Sequence, residues 1–564
     1  MKKIIIYLLL ISFVVSLTSC NDGNKFKVVS SDDYNKELFY QNDLDTIGAD
    51  PSVIYISEGE QEGYYYMYIT SDEIEVSGYL AYRSKDLVDW ECMGTALTSY
   101  KEKDENGNTY IGFGINEYWA PEVIYDKNTM LYYMFYTANS YDTPKNVEYY
   151  FFGDIAVSDK PEGPFIPYNK YFDNEPVLID EKKKTYLYEP MFDFRKMDND
   201  DPLYETRTDG YMKVIDFSPF VDPETGKKYA YFTRDLYPEK QIVSSKIYVI
   251  GLDDDFKPKY DDVHLLTVPN KIRVDDKTQS QSLSEGKVNE GAFCVYHNGK
   301  YYLLYSVCSY MLKAYAVHMA VADSPTGPFT KLLPEEGGEL LFVDGKTTWL
   351  GGTGHCSVVS RNGHDYICYH SHQCRFNPFF NRAVAMDEIN WIDNGKGLEI
   401  MVANGPSWAL LPKTTEGKNS ISSFVTITSD NNKTDVKFLN DNIILFHDFP
   451  YENETIFNKG KTKINIDLFN YQKVEAIAIY NSFYEDLMIN EIDNIKITTE
   501  SETIKTGKLM FDKDRYTNEK GVIIPGGSFT IELFDQKVKK IEITINSDKE
   551  FALSEIVIMG ELSN

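Results

Sequence analysis

Five times along this chain a short apolar run opens on an acidic or imidazole side chain, and a tyrosine-rich run follows it after a turn. The openings read Ala49-Asp50-Pro51-Ser52-Val53, Ala120-Pro121-Glu122-Val123-Ile124, Ile215-Asp216-Phe217-Ser218-Pro219, Asn289-Glu290-Gly291-Ala292-Phe293 and Gly354-His355-Cys356-Ser357-Val358. Their partners run from Tyr64 to Thr70, Leu131 to Ala138, Lys228 to Thr233, Lys300 to Val307 and His364 to Ser371. Runs rich in β-branched and aromatic residues and bounded by turn residues predict antiparallel strands. Their repetition predicts an all-β fold with a five-bladed β-propeller over residues 31–410, because radial repetition leaves only short, protected sheet edges. If the first strand of each blade lines the central channel, Asp50, Glu122, Asp216, Glu290 and His355 converge there.

Further repeats mark the outer blade strands. Ala81-Tyr82-Arg83-Ser84, Ala156-Val157-Ser158-Asp159 and Ala320-Val321-Ala322-Asp323 each lead into a Pro/Gly or charged turn and then an aromatic, Trp90, Phe165 or Phe329. After Trp408 the texture changes, and residues 411–418 read as a polar linker. Beyond it Ile464-Asn465-Ile466-Asp467-Leu468 and Ile541-Glu542-Ile543-Thr544-Ile545 alternate strictly. Such alternation needs sheets with one buried face, so residues 419–564 are expected to form a β-sandwich. A length of 564 residues exceeds what one core supports, in keeping with two domains.

Composition removes some function classes. The formal charge of -30 would repel phosphate backbones, so nucleic acid is not expected as a partner. Lys2 and Lys3 precede an apolar run, Ile4 to Val15, that is too short to span a bilayer and has the form of a secretion signal. The run ends Leu17-Thr18-Ser19-Cys20, which resembles a bacterial lipobox. Residues 1–20 are therefore expected as a signal peptide, with Cys20 as the lipid attachment point and 21–30 as a tether on the periplasmic or outer face of a membrane. The other cysteines, Cys92, Cys294, Cys308, Cys356, Cys368 and Cys374, lie mostly in apolar runs without zinc spacing and read as small buried hydrophobes.

Taken singly, each inner acid has a structural reading: Asp50 before Pro51 and Glu290 before Gly291 suit turns, and Asp216 can accept backbone N–H groups. Together, in propeller register, they suggest an active site. In that order Ala49-Asp50-Pro51, Trp119-Ala120-Pro121-Glu122, Ile215-Asp216, Asn289-Glu290-Gly291, Gly354-His355-Cys356 and Asn381-Arg382 with Gly405-Pro406-Ser407 resemble glycoside hydrolase family 43. The resemblance covers Gly48 to Trp408.

It implies an inverting enzyme on plant cell-wall oligo- or polysaccharides, an α-L-arabinofuranosidase first or a β-xylosidase, and the long insertions Ser140 to Tyr150 and Asp173 to Asp209 favour exo action at chain ends. Asp50 would be the general base, Glu290 the general acid, and Asp216 the group that orients Glu290 and keeps it protonated. Trp119, Glu122 and Arg382 would contact or support the sugar. The chemistry would require no cofactor, and His355 would face a structural calcium ion through waters. The C-terminal part resembles discoidin-type, galactose-binding-like jelly-roll modules. A noncatalytic glycan-binding lipoprotein, a protein-interaction propeller, and another five-bladed glycosidase such as a galactosidase or a retaining fructosidase stay open at this point. The run Gly48-Ala49-Asp50-Pro51-Ser52 lacks the Asn-Asp-Pro-Asn-Gly context of the fructosidases.

Overall fold

The computed structural model describes residues 25–30, 39–40, 46–70, 78–141, 150–194, 212–236, 244–275, 284–341, 350–361, 364–373, 382–403, 411–412, 419–440, 454–482, 484–511, 516–517, 523–524 and 528–561. Cys20, Asn381 and the 405–407 segment lie outside them.

Five antiparallel blades follow one another along the chain, the second and third joined by a short parallel pairing of residues 150–151 with 212–213, and the inner strand of each is its first: Ala49–Tyr55, Gly114–Asp126, Met212–Val221, Asn289–His297 and Leu350–Arg361. Each inner strand neighbours the next, and the fifth neighbours the first, so the ring closes. Closure is latched by the segment before the first blade. The Gly48 N–H donates to the Arg382 carbonyl at 2.9 Å, and the Val384 N–H donates to the Thr46 carbonyl at 3.0 Å.

The tyrosine-rich second strands are explained by this arrangement, because each is buried on both faces against two neighbouring blades. In the first blade Tyr66 and Tyr68 pack towards Met134 and Tyr136 of the second, while Tyr65 and Met67 pack towards Tyr366 and Cys368 of the fifth. The same division continues around the ring. Tyr133 and Phe135 meet Phe217 and Phe232, Tyr229 and Tyr231 meet Tyr301 and Leu303, and Tyr302 and Leu304 meet Ile367 and Tyr369. Five inter-blade cores result. A strand buried on both sides needs large apolar bodies, and tyrosine adds a hydroxyl that can reach the blade rim, as Tyr68 to the Pro161 carbonyl and Tyr231 to the Pro325 carbonyl do.

The C-terminal region is a two-layer sandwich around one apolar core. Two long strands, Gly460–Asn481 and Ser528–Ser547, belong to both layers. Their pairing shifts register between Asp467 and Gln472 and again between Val474 and Ala476. On one side of that break residues 460–467 pair with 540–547, flanked by Thr426–Ser429 and Asn494–Thr499. On the other side residues 473–480 lie between Phe551–Glu561 and the 528–536 segment. The tether expected over 21–30 is corrected in part: Phe26–Ser30 pairs with Phe529–Leu533 as an edge strand of the second layer. Extended backbone beside an open sheet edge satisfies its N–H and C=O groups there, which a free tether leaves to water.

Candidate active site

One local device recurs at the mouth of every inner strand. Ala49 pairs with Thr70 and Ser52 with Tyr68, leaving Asp50 and Pro51 unpaired. The same two-against-one bulge leaves out Ala120-Pro121, Asp216-Phe217, Gly291-Ala292 and His355-Cys356. The first unpaired residue is left-handed each time: φ is 52° at Asp50, 46° at Ala120, 60° at Asp216, 59° at Gly291 and 46° at His355. For residues with a Cβ such a conformation costs about 1–3 kcal/mol, and here it re-aims the side chain out of the pleat, as bulges do. The four acids and one histidine expected at the inner strands do not share one register position. Asp50, Asp216 and His355 occupy the left-handed position, Glu290 stands one residue before it, and Glu122 stands two residues after Ala120.

The bulges are tied from blade to blade. Thr70, opposite the first bulge, accepts the Ala120 N–H of the second blade at 2.7 Å; Ser306 of the fourth accepts the His355 N–H of the fifth at 2.8 Å. His370 of the fifth blade fills the same role with its ring, Nδ1 accepting the Asp50 N–H at 3.2 Å. Only a neutral imidazole can accept there. Burial, followed by the charges of Arg382 and His355, pushes His370 down to about 4 against the pull of Asp50.

Asp50, Asp216 and Glu290 gather around the imidazole of His355. Nδ1 of His355 lies 3.1 Å from Asp50 Oδ1. Burial disfavours its charge, but Asp50 and Asp216, with Glu290 beyond them, raise it to about 10, so His355 is an imidazolium at neutral pH. Asp50 also receives the Thr70 hydroxyl on Oδ2 at 2.7 Å, and Arg382 Nη1 lies 3.8 Å from Oδ1. Burial pushes Asp50 up, yet His355 and Arg382 outweigh it and hold the carboxyl well below its usual range.

Glu290 moves the other way. Burial first, then the negative charges of Asp216 and Asp235, push it up to about 8, against smaller opposing effects of Lys213 and the Tyr315 hydroxyl. That hydroxyl donates to Glu290 Oε1 at 2.9 Å. Asp216, raised chiefly by burial, accepts the Gly291 N–H on Oδ2 at 3.1 Å and so holds the peptide that carries Glu290. A side chain at Gly291 would put its Cβ 2.9 Å from His355 Cγ, so this acid can be followed only by glycine.

The other expected contacts divide. Arg382 reaches the site, with its guanidinium over the Tyr310 ring at 5.1 Å. Trp119 stacks on Phe151 at 4.4 Å, with Lys213 Nζ 5.4 Å from its ring. Glu122 accepts the Ser52 hydroxyl at 2.9 Å, and burial raises it to about 8. Its carboxyl is thus committed to the first blade. Sequence reading missed Tyr315, His370, Thr70 and the buried pair Lys213–Asp235, joined at 2.8 Å. They come from second strands, from the start of an inner strand or, for Tyr315, from the loop between second and third strands, and only ring closure fixes their side-chain directions. Among the described residues no three His, Cys, Asp or Glu side chains converge as direct ligands of a metal ion, and His355 Nδ1 faces Asp50.

A closed ring of five sheets that gathers carboxyls with opposite proton affinities at one mouth defines a class of protein suited to acid–base chemistry on a bound ligand. Known proteins give the family. The sequence model of glycosyl hydrolases family 43 matches residues 44–204 and 198–396, and the chain belongs to that family of glycoside hydrolases. The chain is 27% identical over 269 residues to a β-xylosidase of Xylanibacter ruminicola, covering 46% of this chain and 68% of that protein. It is 32% identical over 119 residues to the β-D-galactofuranosidase xynD of Aspergillus niger, covering 21% of this chain and 33% of that protein. A solved structure of a thermostable family-43 glycoside hydrolase is 28% identical, with a TM-score of 0.47, covering 66% of this chain and 98% of the other.

Proposed function

We propose that the chain is an inverting, exo-acting hydrolase of α-L-arabinofuranosides or β-xylosides in plant cell-wall glycans, with Asp50 as base, Glu290 as acid and Asp216 as the group that orients Glu290. One observation supports this above all: two carboxyls of one site are displaced in opposite directions, Asp50 held ionised and Glu290 raised to about 8. Glu290 gives its proton to the glycosidic oxygen as the C1–O bond breaks. A water held by Asp50 attacks C1 from the opposite face, and Asp50 takes the proton released as the new C–O bond forms. The low proton affinity of Asp50 is no obstacle, because water bonding to an oxocarbenium carbon is itself strongly acidic. Exchange with solvent then resets both groups.

The β-xylosidase relative favours the xyloside reading, and the furanosidase relative favours a furanose ring in the same site. Rates on p-nitrophenyl α-L-arabinofuranoside and β-D-xyloside decide the sugar. Glu290→Gln is expected to lower kcat on a substrate with a sugar leaving group by about 10²–10⁴-fold, and proton NMR is expected to show the inverted anomer first. Initial retention would remove the water-activating role of Asp50. We further propose that Cys20 carries a lipid anchor that holds the enzyme at the cell envelope, to be tested by mass spectrometry of the mature N-terminus. The sandwich is proposed as a discoidin-type glycan-binding module. Loss of polymer binding with hydrolysis of a small substrate retained, after truncation at residue 415, would support it.

A further inference from the structure

The connection between the second and third strands of the fourth blade, residues 308–315, stands at the Glu290 end of the sheet, because Asn289 pairs with Val307 and Glu290 with Ser306. It is tied to the carboxylate site at both ends. The Tyr315 hydroxyl donates to Glu290 Oε1 at 2.9 Å. At the other end His372 Nε2 meets the Tyr310 carbonyl at 2.5 Å, and the Tyr310 ring lies 5.1 Å from the guanidinium of Arg382, which reaches Asp50. The Gly352 N–H donates to the Lys313 carbonyl at 3.0 Å, which fixes the middle of the loop to the fifth inner strand. Between these ties Tyr310, Met311 and Leu312 are 47%, 55% and 52% exposed. A loop bonded at three points holds that exposure in place.

We propose that Tyr310, Met311 and Leu312 form the platform for the leaving group and select a pyranose presented by its C–H face. The inference rests on the roles given above to Asp50 and Glu290. The leaving oxygen must lie beside Glu290, and Tyr315 of this loop is the neighbour that holds that carboxyl. The glycone side is lined by charge, Asp50, His355 and Arg382, whereas the loop offers apolar surface. A pyranose carries its hydroxyls around the ring edge and C–H groups on its faces, so one face can lie on apolar or aromatic side chains while the hydroxyls stay in water. Three side chains cover far less than the roughly 800 Å² per partner of a stable protein interface, which makes a sugar the fitting occupant.

The test compares the parent full-length chain with a Met311→Ser/Leu312→Ser variant on two substrates that share the glycone the parent cleaves, one with xylose and one with methanol as leaving group. With the xylose leaving group kcat/KM is expected to fall about 3–10-fold, the range of a lost apolar stacking surface. With methanol it is expected to stay within about twofold, since only leaving-group contacts are removed. Equal losses on both substrates, or no loss on either, would overturn the proposal. Tyr310→Ala is expected to lower both rates, because its ring also supports Arg382, and Tyr310→Phe is expected to restore them. The two readings fail separately: Glu290→Gln at full parental rate removes the catalytic assignment, while the leaving-group ratio reports on the platform alone.

Discussion

His355 Nδ1 lies 3.1 Å from Asp50 Oδ1, and both residues are left-handed members of adjacent bulges in the closed ring. The contact places an imidazolium among three carboxyls in a buried site, and it supplies much of the pull that keeps Asp50 ionised. Replacing His355 by Gln keeps a donor but removes the charge. The acid limb of the kcat/KM profile is then expected to move to higher pH as Asp50 becomes easier to protonate. The rate at the optimum is expected to fall by less than the roughly 10²–10⁴-fold lost with a proton-transfer group itself. An unmoved acid limb in the pH–rate profile would show that His355 does not set the ionisation of Asp50.

Tyr315 acts on the other limb. Its hydroxyl bonds to Glu290 Oε1 and favours the ionised carboxylate, opposing the burial that raises Glu290 to about 8. As the proposed acid Glu290 must be protonated to act, so activity is expected to decline above about pH 8. Tyr315→Phe removes a donor to the ionised form while keeping the ring stacked on His370 at 5.6 Å. The alkaline limb is expected to shift upward in kcat/KM titrations, with Asp50 and the acid limb unaffected.

The ring of blades is legible in the sequence because each second strand is buried on two faces and so repeats as an apolar, tyrosine-rich run. Asp50, Asp216 and His355 are legible for the same reason, being fixed in phase with those runs. Glu122 shows the limit. In the sequence Ala120-Pro121-Glu122 looks equivalent to Ala49-Asp50-Pro51, but the pairing of Trp119 with Thr137 and of Glu122 with Phe135 puts Ala120 in the left-handed position and moves Glu122 two residues along. Side-chain period in a strand is two, so a bulge placed differently changes which residue points into the channel. Tyr315, His370 and Lys213 have no local signature, since each becomes functional only through a partner more than a strand away. The edge strand Phe26–Ser30 was hidden likewise, because its partner Phe529–Leu533 lies at the far end of the chain.

Gly354 allows Tyr315 to reach its position. A Cβ at residue 354 would stand 2.1 Å from Tyr315 Cε1, well inside contact distance, and the ring is fully buried with little room to give. Gly354→Ala is expected to cost about 1–3 kcal/mol, as overpacking of a filled core does, measurable as a lower denaturant midpoint. Because the ring must move, the Glu290 bond should weaken as well. The variant should therefore reproduce the raised alkaline limb of Tyr315→Phe, whereas a stability loss with an unchanged pH profile would place the strain elsewhere.

Glu122 gives the clearest dependence of stability on pH. Burial raises its carboxyl to about 8, from the 4.5 it has in an unfolded chain, with the Ser52 hydroxyl bond opposing the shift only in part. Between those two values the folded protein holds a proton that the unfolded chain has released, so stability falls as pH rises through the interval and the full penalty is reached above about pH 8. Glutamine at this position keeps an oxygen for Ser52 and has no proton to lose. Glu122→Gln is therefore expected to melt close to the parent at pH 4.5 and several degrees above it at pH 9, with the difference opening between those limits. Thermal melts of both proteins across that range check the sign directly: a variant less stable than the parent at pH 9 would mean that the ionised carboxylate is stabilised by its surroundings and that burial does not govern it.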